Sequence, residues 1–129
     1  MKKLKELLIV YSIGAVVYSL IEIMWRGYTH WTMTLLGGTC FSFIYFIADK
    51  LRHLKIWTKC LFSSLFITTA EFIVGILVNL VFKMNVWDYS DENFNLLGQI
   101  CLLYSIFWYF LCIPATFISN ILRKKLRHI

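Results

Sequence analysis

Charged residues are scarce in this sequence. They make up 16% of its 129 residues, whereas hydrophobic residues make up 60%. A soluble domain carries about 25% charged residues, because its surface is hydrated. The deficit excludes an ordinary water-soluble protein and favours a chain that lies in the lipid bilayer.

Proline is also scarce, and so are segments with the composition of a linker. Pro114 is the single proline, and no stretch has the low-complexity composition that is typical of a linker. A chain of this length has room for one domain. We therefore expect residues 1–129 to form a single domain.

The sequence lacks the signature motifs of common enzyme classes. It contains no HExxH, GxSxG or GxxxxGK[ST] motif, so metalloprotease, hydrolase and ATPase activities lack their minimum parts. The cysteines, at positions 40, 60, 101 and 112, form no CxxC pair. We expect reduced thiols that pack among apolar side chains. The sequence therefore predicts no enzymatic activity, no cofactor and no metal site.

Long apolar runs are abundant. They cover residues 7–24, 31–48, 60–82 and 96–119. About 20 apolar helical residues cross about 30 Å of hydrocarbon, so the sequence predicts an all-α polytopic membrane protein with four transmembrane helices in an antiparallel bundle. The basic start before the first run is typical of a signal peptide. Bulky residues at 22–26 replace the small residues of a cleavage site, so we expect this run to remain as a helix.

Basic residues outside the runs favour one orientation. They lie before the first run, between the second and third, and after the fourth, at positions 2, 3, 5, 50, 52, 55, 59, 123, 124, 125 and 127. The other two connections contain only Arg26 and Lys83. The positive-inside rule then predicts that both termini are cytoplasmic. Topology and contact with membrane lipid account for the net charge of +6, so we expect no nucleic-acid partner.

Glu71 is an acidic residue inside an apolar run. It lies about eleven residues into the run 60–82, close to the expected bilayer midplane. A charge at that depth costs about 2.5–3.5 kcal/mol, so the side chain should face the interior of the bundle. Two interpretations stay open. Glu71 is either a protonated carboxyl that donates one interhelical hydrogen bond, or a group on an ion or substrate path.

Glu22, Arg26 and His30 are spaced four residues apart at the end of the first run. They share one face if the helix continues, and a carboxylate and a guanidinium at this spacing can pair. One interpretation is an interfacial salt bridge. The other is a site at the external mouth of the bundle, where Arg26 binds an anion or a lipid phosphate and His30 titrates near neutral pH.

Polar residues also precede the fourth run, on the side predicted to be external. Asp91 is expected to cap the fourth helix, with Asn95 and Gln99 on its first turns. The cytoplasmic half of the bundle is expected to have an apolar interior. The sequence thus predicts an externally facing polar pocket above the mid-membrane glutamate, formed by Glu71, Glu22, Arg26, His30, Asp88, Asn79, Asn95 and Gln99.

Residues 85–108, NVWDYSDENFNLLGQICLLYSIFW, resemble a segment of the bacterial membrane proteins described as "putative ABC-transporter type IV". The shared pattern is WDYS-x4-N-x2-G-x-I-C-L, matched by Trp87, Asp88, Tyr89, Ser90, Asn95, Gly98, Ile100, Cys101 and Leu102. Glu71 and Gly75 resemble the glutamate-bearing helix of that family, and Arg26 and Gly27 its arginine-glycine stretch. The resemblance implies a transporter subunit in the bacterial cytoplasmic membrane, with its ATPase on a separate chain.

Three functions are consistent with these features. The first is a permease-like or channel-like subunit of the transport class, expected to form a homo-oligomer because four short helices enclose little volume. The second is a structural or regulatory subunit that binds lipid or a partner helix without transport. The third is a membrane enzyme acting on a lipid or envelope precursor, with His30 and Asp88 as acid and base.

Overall fold

The computed structural model describes residues 2–27, 29–84, 86–88, 91 and 94–127, and for residues 2 and 26 the backbone alone. It contains α1 (Lys2–Arg26), α2 (Trp31–Lys50), α3 (Ile56–Gly75), a π-helical continuation of α3 (Ile76–Val81), the short strands β1 (Asn95–Leu96) and β2 (Ile100–Cys101), and α4 (Leu102–Arg127). In the part of the chain described, four helices are long and apolar enough to cross a membrane. The prediction of an all-α membrane protein with four transmembrane helices is confirmed.

Helix α2 lies at the centre of the bundle and packs against the other three helices. Its contact with α1 is close because glycines face large α1 side chains. A Cβ atom on Gly37 would lie 2.5 Å from the Cβ of Tyr18, and one on Gly38 would lie 2.7 Å from the Tyr11 ring. Small residues let helix backbones approach in this way. The glycines thus determine how near α1 approaches the central helix.

The turn between α1 and α2 is formed by local signals. Gly27 adopts a positive φ of 83°, and its N–H donates to the carbonyl of Ile23 over 2.8 Å. A glycine in this conformation is a common end for a helix, because it has no Cβ to clash. His30 then caps α2, since its side chain accepts a hydrogen bond from the N–H of Thr32. The first helix therefore ends at Arg26, and His30 belongs to the second.

The fourth helix begins later than predicted. The run 96–119 was expected to be helical, but α4 begins at Leu102, and a two-stranded antiparallel hairpin pairs Asn95 with Cys101 and Leu96 with Ile100. Leu97 and Gly98 at its turn have φ values of 54° and 72°, which an α-helix does not permit. The placement of Asn95 and Gln99 on the first turns of α4 was therefore wrong.

The bundle has two chemically different ends. The terminal end contains the start of α1, the end of α4 and the α2–α3 connection; the loop end contains the other two connections. At the terminal end, Arg127 of α4 binds Asp49 of α2 over 2.8 Å and Glu6 of α1 over 3.1 Å. The Tyr45 hydroxyl also donates to Glu6. These ion pairs join three helices, and α4 continues to Arg127, eight residues beyond the predicted run.

The terminal half of the bundle is more polar inside than expected. Lys59, Ser63, Thr116, Ser119 and Arg123 are all buried there. The hydroxyls of Thr116 and Ser119 donate to carbonyls one turn earlier in α4, over 2.7 and 2.8 Å. Such hydrogen bonds within a helix let small hydroxyl residues lie in an apolar environment. The sequence predicted basic ends with an apolar interior in this half, and the buried hydroxyls of Ser63, Thr116 and Ser119 make that interior more polar than predicted.

Candidate functional site

Glu71 lies in the interior of the bundle. Ser63, Ile67, Glu71 and Gly75 are buried residues of α3 spaced four apart, so they form one face of the helix. The Glu71 side chain is 2% exposed. The helix places Glu71 on its inner face because the flanking residues at the same spacing pack against the other helices. Glu71 is the sixteenth residue of α3, which begins at Ile56.

Glu71 lines a cavity of about 300 Å³ between the four helices. Most of the lining is aliphatic or aromatic, and α1 and α4 contribute much of it. Tyr18 of α1 and Trp108 of α4 supply aromatic rings beside the carboxylate, and Cys40 and Cys112 supply thiols. Glu71 is therefore an ionisable group at the wall of an otherwise apolar space.

The cavity lies between α1 and α4, which meet at both of their ends. Towards the loop end, the rings of Tyr18 and Trp108 are 5.7 Å apart, and those of Trp25 and Phe107 are 6.4 Å apart. At the terminal end, Arg127 pairs with Glu6. The cavity occupies the space between these two contacts. Its position predicts access from the side of the bundle.

The rim of the cavity is exposed on the outer surface of the bundle. Val17 and Ile21 of α1 and Leu111 and Ile118 of α4 line the cavity, and each is exposed by between 42% and 47%. Apolar side chains on the outside of transmembrane helices face lipid. We call the gap between these four residues the lateral window, because it faces the acyl chains.

Two polar groups lie close to Glu71. The indole N–H of Trp108 is beside the carboxylate, but the two do not have hydrogen-bond geometry, and this N–H has no hydrogen-bond partner among the described residues. Glu22 lies within electrostatic range of Glu71, and the hydroxyl of Tyr18 donates to Glu22 over 2.8 Å. The structure thus brings together two glutamates that the sequence places on different helices.

His30 lies at the start of α2. The Nδ1 atom of His30 lies 2.8 Å from the hydroxyl of Thr32, in the cap of α2. This contact uses one ring nitrogen of His30 to hold the start of α2. The side chain of Arg26 falls outside the described part of the structure. His30 is not among the residues that line the cavity.

Asn79 and Gln99 meet at the loop end, where they hold the connection between α3 and α4 against the bundle. The Asn79 side-chain amide donates to Gln99 over 2.8 Å, and its oxygen accepts from the N–H of Val86 over 2.7 Å and of Trp87 over 3.3 Å. The Trp87 indole donates to the Gln99 carbonyl over 2.9 Å. A Cβ on Gly75 would lie 2.7 Å from Gln99. This buried network, which we call the loop anchor, consists of Asn79, Val86, Trp87 and Gln99.

The remaining predicted residues lie on the surface of the loop end. Asp88 is exposed, as is Asn95, whose side chain accepts a hydrogen bond from the Gly98 N–H over 3.0 Å in the hairpin turn. Of the predicted site residues whose side chains the structure describes, Glu71 alone lines the cavity. The structure therefore offers an apolar lateral cavity beside Glu71, and it uses most of the loop-end polar residues to hold the fold.

Trp108 is the site residue that sequence reasoning missed. The other tryptophans lie near the ends of the apolar runs, as interfacial aromatic residues do, whereas Trp108 is the seventh residue of α4. A tryptophan inside a span needs a partner for its N–H, and that need is the signal in the sequence. It does not show which helix supplies the partner.

Comparison with known proteins gave one match. The sequence model of the family described as "putative ABC-transporter type IV" matches residues 4–129. Neither the search of curated proteins nor the search of solved structures gave a match.

Proposed function

The chain belongs to the putative ABC-transporter type IV family, and on that premise we propose that it is a membrane subunit of the transport class whose path includes the cavity at Glu71. The observation that carries the proposal is the nearly complete burial of a carboxylate at the wall of a 300 Å³ space that reaches the lateral window. An ionisable side chain within a membrane span is costly and is usually retained for a function.

The apolar lining favours an apolar or amphiphilic substrate over an ion. Hard cations in proteins take several oxygen ligands, and Glu71 is the one carboxylate among the described residues that line the cavity. An ion would lose its water here without enough replacement ligands. A molecule that is already dissolved in the bilayer loses no such hydration when it enters through the window.

The proposal includes an orientation and partners. Both termini would be cytoplasmic in a bacterial inner membrane, because the basic residues gather at the terminal end. A separate ATPase chain would supply energy there. Reporter fusions after Arg127 and within the connection before β1 test the orientation: the first should report the cytoplasm and the second the exterior. The opposite result overturns it.

We propose also that the chain forms a homo-oligomer, because a 300 Å³ space is at the lower end of the range for ligand sites, roughly 300–1,000 Å³. A second copy packed beside the lateral window would enlarge the enclosed path. Mass measurement of the protein in lipid nanodiscs should detect more than one copy. Monomers alone would overturn this part of the proposal.

A lipid-transfer assay tests the path itself. Purified protein is placed in liposomes with a fluorescent single-chain alkyl glycoside, which carries no charge, and dithionite reports how fast the protected inner probe reaches the outer leaflet. The assay follows transfer down a gradient, so it needs no ATPase. We expect wild-type protein to accelerate transfer several-fold over protein-free liposomes.

Two variants that introduce the same residue separate the cavity from the surface of α4. Ala115 lines the cavity and Ile121 is 55% exposed on the same helix. Ala115→Phe should fill the space and return transfer to the protein-free rate, whereas Ile121→Phe should retain the wild-type rate. Equal transfer by the two variants, with equal size-exclusion profiles, would contradict a path through the cavity.

The alternative is a structural or regulatory subunit, and the loop anchor favours it because its polar groups serve the fold. In that case Glu71→Gln should lower the stability of the bundle and leave transfer unchanged. We propose no enzymatic role, since the Nδ1 atom of His30 caps α2. Turnover of a lipid precursor that is lost in both His30→Ala and Asp88→Asn would overturn that view.

A further inference from the structure

We propose that the cavity binds a neutral amphiphile with a hydroxyl group, which enters from the bilayer through the lateral window and places that hydroxyl between Glu71 and Trp108. The inference rests on the proposed function and names its substrate class. Its basis is the pairing of an acceptor and an unused donor at the wall of an apolar space.

The two polar groups require complementary partners. A carboxylate oxygen of Glu71 accepts hydrogen bonds, and the Trp108 indole N–H can only donate one. That N–H has no hydrogen-bond partner among the described residues, although its nitrogen is buried. A buried donor without a partner is costly. A hydroxyl donates one hydrogen bond and accepts others, so it can serve both groups at once.

Other polar groups fit less well. An amine in its charged form only donates, so it would leave the Trp108 N–H without an acceptor. A carboxylate ligand would lose its hydration in the cavity, where the described lining residues include no cationic side chain to pair with it. A charged ligand would also have to cross the apolar lateral window, which is costly in hydrocarbon. A neutral hydroxyl avoids each of these costs.

The volume sets the size of the ligand. An apolar cavity of about 150 Å³ holds benzene, a molecule of six carbons. The present cavity, at about 300 Å³, therefore has room for roughly twice that number of heavy atoms. One medium-length alkyl chain with its hydroxyl fits this limit, and its remaining methylenes can extend through the window into the bilayer.

Photolabelling with a decanol that carries a diazirine tests the site in phosphatidylcholine liposomes. Peptide mass spectrometry should find label on window and cavity residues such as Val17, Leu111 and Ala115, in excess over the exposed Ile121. Unlabelled 1-decanol should compete about three- to tenfold better than decane at equal membrane concentration, as expected for one net hydrogen bond. Label spread evenly over lipid-facing residues would overturn the proposal.

Substitutions at the polar pair test the recognition of the hydroxyl. Trp108→Phe retains the ring and removes the donor, and Glu71→Leu removes the acceptor, so each should reduce the advantage of decanol over decane. Glu71→Gln retains an acceptor and should retain that advantage. Asp91→Leu, at an exposed loop position, is the matched control and should have no effect. Competition by decylamine that exceeds decanol and is lost in Glu71→Gln would instead show a cation site and overturn the inference.

The two proposals fail in different ways. If Ala115→Phe blocks glycoside transfer while decane and decanol compete equally, the path stands and the hydroxyl inference is wrong. If decanol competes selectively while transfer by wild-type protein equals that of protein-free liposomes, the binding site stands and the transport function is wrong.

Discussion

Loss of the Asn79 side chain should release the connection between α3 and α4 from the bundle. Asn79 is 8% exposed and makes three hydrogen bonds, to Gln99 over 2.8 Å and from the N–H groups of Val86 and Trp87 over 2.7 and 3.3 Å. Asn79→Leu has nearly the same volume but no polar atoms. It leaves at least the Val86 N–H and the Gln99 amide oxygen buried without this partner.

The free-energy cost of Asn79→Leu follows from those two groups. Each buried polar group that loses its partner costs about 1–3 kcal/mol, so the two together cost about 2–6 kcal/mol. The connection can undock while the four helices remain packed, so the change should appear as local opening. A cost of about 2 kcal/mol corresponds to roughly 30-fold faster exchange, because 1.4 kcal/mol is a factor of ten.

Hydrogen–deuterium exchange in detergent micelles measures this opening directly. The amides of Val86 and Trp87 should exchange at least roughly 30-fold faster in Asn79→Leu, by the conversion above. Asn95→Leu is the control, because Asn95 is exposed and its side chain accepts a hydrogen bond from the Gly98 N–H in the hairpin turn. This change should affect mainly the Gly98 amide. Unchanged exchange at Val86 in Asn79→Leu would refute the assignment of Asn79 to the loop anchor.

Two further predictions concern the packing of the helices. Gly37→Leu should separate α1 from α2, because even a Cβ would lie 2.5 Å from Tyr18, and overpacking of this kind costs about 1–3 kcal/mol. The thermal unfolding temperature of Gly37→Leu should be lower than that of the exposed control Thr39→Leu. Equal unfolding temperatures would contradict the close approach of α1 and α2. Arg127→Gln should lower the stability of the protein by less than about 1 kcal/mol, because Arg127 is 43% exposed. A double-mutant cycle with Asp49→Asn, measured in low and high salt, gives the coupling energy of the pair. A coupling energy that does not change with salt concentration would count against an ion pair.

The lateral position of the cavity changes what a transport mechanism would require. A path that opened at the loop end would need the loop anchor to move, yet Trp87 and Gln99 are 5% and 2% exposed and pack on Gly75. Access between α1 and α4 needs only side-chain movement at the rim. The chemistry of the site thus favours exchange with the bilayer over exchange with water.

Parts of the candidate site were predictable and parts were not. Glu71 stands out in the sequence because a carboxylate within an apolar span must face protein or a polar partner, and the structure places it inside the bundle. Its neighbour Trp108 is 37 positions away on another helix. Their proximity depends on how α3 and α4 pack, and that packing cannot be read from the pattern of residues in either helix.

Asn79, Asn95 and Gln99 illustrate the opposite case. Their polarity predicted a pocket, but the same polarity is used in the loop anchor and the hairpin turn. A polar side chain near the end of a membrane span looks the same in the sequence whether it binds a ligand or the backbone of its own protein. Only the hydrogen-bond partners in the folded chain separate the two uses.

The sequence by itself determined that this chain crosses the membrane in four helices, because hydrophobicity over about 20 residues is a property of the local chain. The tertiary structure alone decided that residues 95–101 form a hairpin. The apolar run from residue 96 onward favours a helix by itself, and Trp87 and Gln99 pack on Gly75 only after folding. It decided also that α1 and α4 separate beside Glu71 and leave a cavity. That space depends on contacts between helices distant in sequence, which the order of residues along any one helix does not encode.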